Sequence, residues 1–151
     1  MSKRWALSAV ALLGSCTTLQ QPAGLQIALT IDDLPWATLG DETPPTLLEY
    51  HAKLMAALKA GGAPVTGFVN EGKLVSGGKV DTARVHLLRD WLAAGADLGN
   101  HTQDHADLHA LGLDEYESQI MRGETFLRPL LEERGKEPRW FRHPYLRAGR
   151  T

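Results

Sequence analysis

The sequence predicts an α/β fold built on parallel strands, and three observations carry that prediction. Short apolar segments with a period of two alternate with longer segments of helical periodicity. Glycines stop two of the helical segments, at Gly61–Gly62 and Gly95. Acidic or basic side chains cluster where the strands end, as they do where a parallel sheet collects its functional groups.

The elements follow in order. Leu25, Ile27, Leu29 and Ile31 alternate with Gln26, Ala28 and Thr30 in a first strand, with Asp32 and Asp33 at its carboxyl end. Asp41 to Pro45 is a loop leading into a helix from about Thr46 to Ala60, with Leu47, Leu48, Leu54, Met55 and Leu58 on one face. Val65 to Asn70 is a second strand, and Ser76 to Lys79 a turn. Asp81 or Thr82 caps a helix to Ala94, with Val85, Leu88 and Leu92 inward. Asp97 to Asn100 is a short third strand. Asp114 with Glu117 forms a capping box for a long helix to about Arg134, which Pro129 should kink or break. Trp140 and Phe141 form a fourth strand that ends at Arg142.

The composition is that of a globular protein: 151 residues, 43% hydrophobic and 23% charged. That excludes a disordered polyelectrolyte and a multi-span membrane protein. A formal charge of −2 gives no basic field, so no nucleic-acid partner is expected. The single cysteine excludes an internal disulfide.

The amino end is read apart from the fold. Lys3 and Arg4 precede an apolar run from Trp5 to Leu13, and small residues follow. This is the layout of a secretory signal peptide, too short for a permanent span. Residues 13–16, Leu-Gly-Ser-Cys, resemble a bacterial lipobox, which marks Cys16 for lipidation. The expected organisation is a lipoprotein signal peptide over 1–15, a polar tether over 16–24 and the domain over 25–151, exported and anchored to a membrane of the cell envelope through Cys16.

Three clusters bear chemistry. Asp32 and Asp33 repel each other unless a cation or proton lies between them; the plain alternative is a turn with a helix cap. In His101-Thr102-Gln103-Asp104-His105 the two histidines reach one metal if the turn is helical, although paired surface histidines are common. Thr102 stands where a zinc protease would carry glutamate, so a base must come from elsewhere, with the upstream carboxylates the obvious source. Asp104, Asp107 and His109 are expected to face solvent. Arg142-His143-Pro144-Tyr145 offers a planar cation and a backbone held by proline, or else only a strand-to-loop junction.

Together, and in this order, TIDD, HTQDH and RHPY resemble the polysaccharide deacetylase family, the NodB-homology domain of carbohydrate esterase family 4. The family motifs are T-F-D-D, H-[ST]-x-x-H and R-x-P-[FY], and the likeness runs from about Leu25 to Thr151. It implies that Asp32 is the catalytic base, that Asp33, His101 and His105 bind a metal, that Arg142 orients the base and that the Tyr145 amide helps hold the oxyanion. It also implies a distorted (β/α) barrel, of which this chain would be an incomplete, amino-terminal part, because about four or five βα units fit its length. The implied substrate is an amino-sugar polymer carrying N-acetyl groups, and the implied cofactor is a divalent metal, with zinc the best match and iron(II) also compatible.

Two departures stand out. Ile31 replaces the usual Phe, and Leu34 replaces the usual Gly and is expected to narrow the loop beside the substrate cleft. The family's later motifs, including a Leu-x-His general acid, have no match here, and none of His51, His86, His109 and His143 fits that motif. The alternative function is a non-catalytic envelope lipoprotein fragment that binds metal or glycan. An iron oxygenase is a more distant reading, since that chemistry usually sits on a β-sandwich. An unclosed sheet should also expose apolar surface around the carboxyl half.

Overall fold

The structure is a computed structural model that describes residues 27–37 and 44–149, with no side-chain detail at 44 and 45. The expectations for the signal segment, Cys16 and the tether lie outside the described residues. Three parallel strands form the sheet in the order β1 (Leu29–Leu34), β2 (Val65–Val69), β5 (Asp97–Asn100). The strand expected at Trp140–Phe141 is reduced to one parallel bridge, Phe141 to Asn100. It is held by Asn100 N donating to the Trp140 carbonyl and Arg142 N donating to the Asn100 carbonyl. Each strand therefore lies beside the one before it, as in the wall of a (β/α) barrel, and the described residues form a partial barrel of that kind.

Helices cover one face of this wall. α1 (Pro44–Gly61) and α2 (Thr82–Ala93) pack on one another, and α2 and α4 (Leu127–Glu132) pack on β5. The core joins Leu34, Val65, Val69 and Leu98 from the strands to Leu88, Trp91, Leu127 and Leu131 from the helices. Gly67 lets β1 approach, since a Cβ there would lie 2.3 Å from Leu34 Cδ1. Leu34 is thus a buried core residue at the end of β1, which corrects the expectation that it stands in the loop beside the cleft and narrows it. On α1, Leu47 is buried and Leu54, Met55 and Leu58 pack on the core, but Leu48 is 51% exposed and does not belong to the inward face. α2 begins as expected, with the Asp81 carboxylate accepting from the amides of Ala83 and Arg84. Before it, β3 (Val75–Ser76) and β4 (Lys79–Val80) form a small antiparallel hairpin turned by Gly77 and Gly78, both at positive φ.

The long helix expected up to Arg134 is two helices. α3 (Leu113–Arg122) starts after Gly112 with no side-chain cap, so Asp114 and Glu117 form no capping box. Asp114 instead lies in the first turn, where its charge favours the helix dipole. The break falls at Gly123, ahead of Pro129. Asn100 Nδ2 donates to the Ile120 carbonyl, and a Cβ on Gly123 would lie 2.6 Å from Asn100 Oδ1. Pro129 then sits in the first turn of α4, where a missing N–H costs nothing.

Among the described residues, no helix covers the opposite face of the sheet. A groove there is lined by Leu29, Thr30, Phe68, Trp140, Phe141 and Arg142. Trp140, Phe141, Tyr145 and Leu146 are exposed, consistent with the expectation of apolar surface in the carboxyl half. Among the described residues no helix is long and apolar enough to cross a membrane.

Candidate metal centre and its flanking groups

β1 extends through both aspartates rather than ending before them. Ile31 pairs with Gly67 and Leu34 with Val69, so Asp32 and Asp33 together stand opposite Phe68 and the strand bulges. Asp33 takes φ 67°, the left-handed region, which turns its carboxylate to a different side from that of Asp32. The two adjacent carboxylates consequently meet different partners. Asp32 Oδ1 accepts from Arg142 Nη1 at 2.9 Å, and the same nitrogen donates to Thr30 Oγ1 at 2.9 Å. The guanidinium also lies 4.4 Å from the centre of the Phe68 ring. Asp33 Oδ1 lies 3.5 Å from His105 Nε2.

The two histidines come together on a loop, without the helical turn that would also have brought their rings to one face. His101 prolongs β5, its amide donating to the Val69 carbonyl. Thr102 and His105 both have positive φ, 65° and 54°, so the chain doubles back between the rings. Asn100 Oδ1 accepts from the Thr102 amide, Thr102 Oγ1 accepts from the Ala106 amide, and Asn70 Nδ2 donates to the His101 carbonyl. These three buried side chains hold the loop. The ring centroids of His101 and His105 stand 5.0 Å apart.

Asp33, His101 and His105 each offer a ligand atom within 4.8 Å of the others. Tetrahedral zinc bonds of about 2.0–2.1 Å separate ligand atoms by about 3.3 Å, so small side-chain adjustments suffice. The donor chemistry fits as well. His101 Nδ1 lies 2.8 Å from the Arg142 carbonyl, which can only accept, so the proton sits on Nδ1 and Nε2 keeps its lone pair. Burial pushes the His101 pKa down, more than its bond to that carbonyl and the nearby Asp32 raise it, which keeps the ring neutral.

The last cluster is a tight turn, Pro144–Leu146, with Tyr145 and Leu146 at φ 57° and 56°. The turn's own bonds come from the amides of Leu146 and Arg147. The Tyr145 ring packs edge-on to His105 at 4.5 Å. His143 points elsewhere: it stacks on Tyr116 at 5.7 Å and accepts or donates to the Tyr116 hydroxyl at 2.8 Å. Arg147 and Asp107 pair across to the histidine loop. Asp104 is exposed, as expected, while Asp107 and His109 are half-buried. Of the five non-glycine residues with positive φ among those described, Asp33, Thr102, His105 and Tyr145 lie in the three motif segments and Leu146 directly follows the last of them. Strained backbone concentrated this way is typical of functional sites.

Sequence reasoning missed the 3₁₀ turn Glu71–Leu74. Glu71 is fully buried and accepts from the amides of Phe126 and Leu127 at the start of α4. Burial pushes its pKa up to about 7 against the pull of those amides. Lys73 Nζ lies 3.5 Å from Asp33 Oδ1. Burial lowers the Lys73 pKa and Asp33 partly offsets this. A charged pair two residues after a strand was the available signal, but its partners lie far along the chain.

Comparison with known proteins accords with this geometry. The family model described as polysaccharide deacetylase matches residues 20–151. A chitin deacetylase from Pestalotiopsis sp is 34% identical over 118 residues, covering 78% of this chain and 33% of the relative. The chitin deacetylase structure from the fungal pathogen Colletotrichum lindemuthianum is 29% identical with TM-score 0.56, covering 79% of this chain and 45% of that one. A family 4 pseudoenzyme from Bacillus anthracis shares the fold at TM-score 0.61 and 19% identity, covering 83% of this chain and 37% of that one. The chain thus spans about a third of its curated relative and less than half of these two structures. With the three motif segments meeting at one end of a parallel wall and the family model matching nearly all of the sequence, this chain belongs to the polysaccharide deacetylase family.

Proposed function

We propose that the protein takes part in metal-dependent removal of N-acetyl groups from an amino-sugar polymer of the cell wall or an exported glycan. The observation that carries the reading is the convergence of Asp33, His101 and His105 beside an Asp32 carboxylate held by Arg142. Asp33, His101 and His105 would hold the ion, and two imidazoles with one carboxylate suit zinc. A divalent ion there supplies Lewis acidity and lowers the pKa of water toward ~7. Asp32 accepts the proton of the attacking water as its oxygen adds to the acetamide carbonyl carbon. Arg142, anchored by Thr30 and by the Phe68 ring, keeps that carboxylate aimed. The Tyr145 amide donates to the developing oxyanion. Collapse of the adduct breaks the C–N bond, leaving acetate and an amino sugar once a general acid protonates the nitrogen.

The test is acetate release from an acetylated chito-oligosaccharide by the purified chain with one equivalent of zinc. Release above that of Asp32→Asn is the expected result. Stoichiometric zinc binding with no release would favour the non-catalytic, glycan- or metal-binding alternative. We also propose export and anchoring through a lipidated Cys16. Cys16→Ser should then abolish lipid labelling and free the protein from the membrane fraction, whereas unchanged retention would contradict it.

A further inference from the structure

We propose that Lys73 is a positioning residue for the metal centre: its ammonium clamps Asp33, backbone and carboxylate together, in the orientation that faces His101 and His105. The inference rests on the metal reading above. The Lys73 side chain is 22% exposed, and its Nζ lies 3.2 Å from the Asp33 carbonyl, 3.1 Å from that of Trp36 and 3.4 Å from that of Ala37. With Asp33 Oδ1 at 3.5 Å, one ammonium gathers four oxygens of a single bulged segment. Asp33 needs such a hold, because φ 67° is unfavourable for a residue with a Cβ.

The clamp is itself fixed to the other half of the site. Gly72 N donates to the Gln103 carbonyl at 2.8 Å, inside the loop that carries both histidines. A Cβ on Gly72 would lie 2.9 Å from that carbonyl and 2.3 Å from Asp104 Oδ1, so the approach requires glycine. Glu71 is bonded to the start of α4, and the Lys73 carbonyl accepts from Arg84 Nη1 at 2.9 Å. Gly72 and Lys73 therefore tie the histidine loop to Asp33, Glu71 anchors the same turn to α4, and Lys73 is the link that reaches the carboxylate.

Charge and geometry predict opposite results when Lys73 is replaced. A cation this close to a cation site repels the ion, so charge alone predicts tighter binding on its removal. Loss of positioning predicts weaker binding, by about tenfold to a hundredfold for a group that orients a ligand. The experiment measures zinc affinity of the full chain at neutral pH by competition with a chromophoric chelator, alongside thermal melting. Lys73→Met should bind zinc at least about tenfold more weakly, and the absorption of the cobalt(II)-loaded protein should change. Lys73→Arg, which keeps the charge but cannot gather the same four oxygens, should fall between Met and wild type. Equal or tighter zinc binding by Lys73→Met would overturn the proposal. If that variant does not fold, wild-type affinity in Lys73→Arg would overturn it and weaker binding would support it. A wild-type chain that binds no zinc would overturn both this proposal and the metal reading. Zinc bound by wild type and lost in His105→Ala, with Lys73→Met unchanged, would overturn this proposal alone.

Discussion

On the covered side of the sheet, Leu34, Val65, Val69 and Leu98 meet Leu88, Trp91, Leu127 and Leu131 as one continuous apolar core. At the carboxyl ends of the same strands, Asp32 meets Arg142, and Asp33 meets His101 and His105, through a few named atoms, with Asp33 and His105 on backbone bent into the left-handed region. The first region tolerates adjustment, because dispersion and burial are summed over many contacts. The second depends on a few directional contacts, each set by a residue distant in sequence. Folding energy and chemistry are therefore separable here, and substitutions should sort by region.

The largest separation should come from Asp32→Asn. Deacetylation should fall by about 10²–10⁴-fold, the range of a general base, with zinc content and melting temperature nearly unchanged. Equal loss of zinc and activity would instead make Asp32 a ligand. Trp91→Ala should do the reverse: it removes a fully buried ring and should cost about 3–5 kcal/mol in denaturant unfolding. Zinc affinity of its folded fraction should stay near wild type, and a selective loss of zinc would break the separation.

Gly72→Ala probes the junction of the two regions. A methyl group there meets the Gln103 carbonyl and should cost about 1–3 kcal/mol as overpacking, with weaker zinc binding as the histidine loop shifts. Unaltered stability and zinc binding would show that the junction is soft. Glu71 sharpens the comparison through pH. Its folded pKa of about 7 lies above the ordinary 4.5, so between those values the folded chain binds more protons than the unfolded chain. Its contribution therefore favours the fold at low pH and is lost as pH rises through about 7. Glu71→Gln should flatten this fall, gaining in melting temperature relative to wild type between pH about 5 and about 8; a parallel pair of profiles would contradict the assignment. The smallest effect is expected for Leu48→Ala, within about 0.5 kcal/mol, because that side chain is exposed despite its place in the apolar pattern.

The legible and illegible parts of the structure divide along the same line. Asp81 as a cap, Gly95 as a stop and the strands at 65–69 and 97–100 all rest on local propensity and periodicity, which neighbouring residues express by themselves. The helix break at Gly123 was not legible, because Asn100, some twenty residues earlier, takes the Ile120 carbonyl. The direction of Leu34 is not legible in the sequence, because it depends on the bulge, and the bulge depends on the register with β2.

The alternation of strands and helices and the three motifs are written in residue type and spacing, which are local properties. The sequence also carried the family likeness that named Asp32, Asp33, His101, His105, Arg142 and Tyr145. How those side chains meet is a property of the folded chain. The histidines converge through a loop with two left-handed residues, held by Asn70, Asn100 and Thr102, rather than through a helical turn. The two aspartates part because a bulge turns one toward Arg142 and the other toward His105 and Lys73. Orientation of this kind is set by contacts between segments far apart in the chain, so no local pattern could encode it.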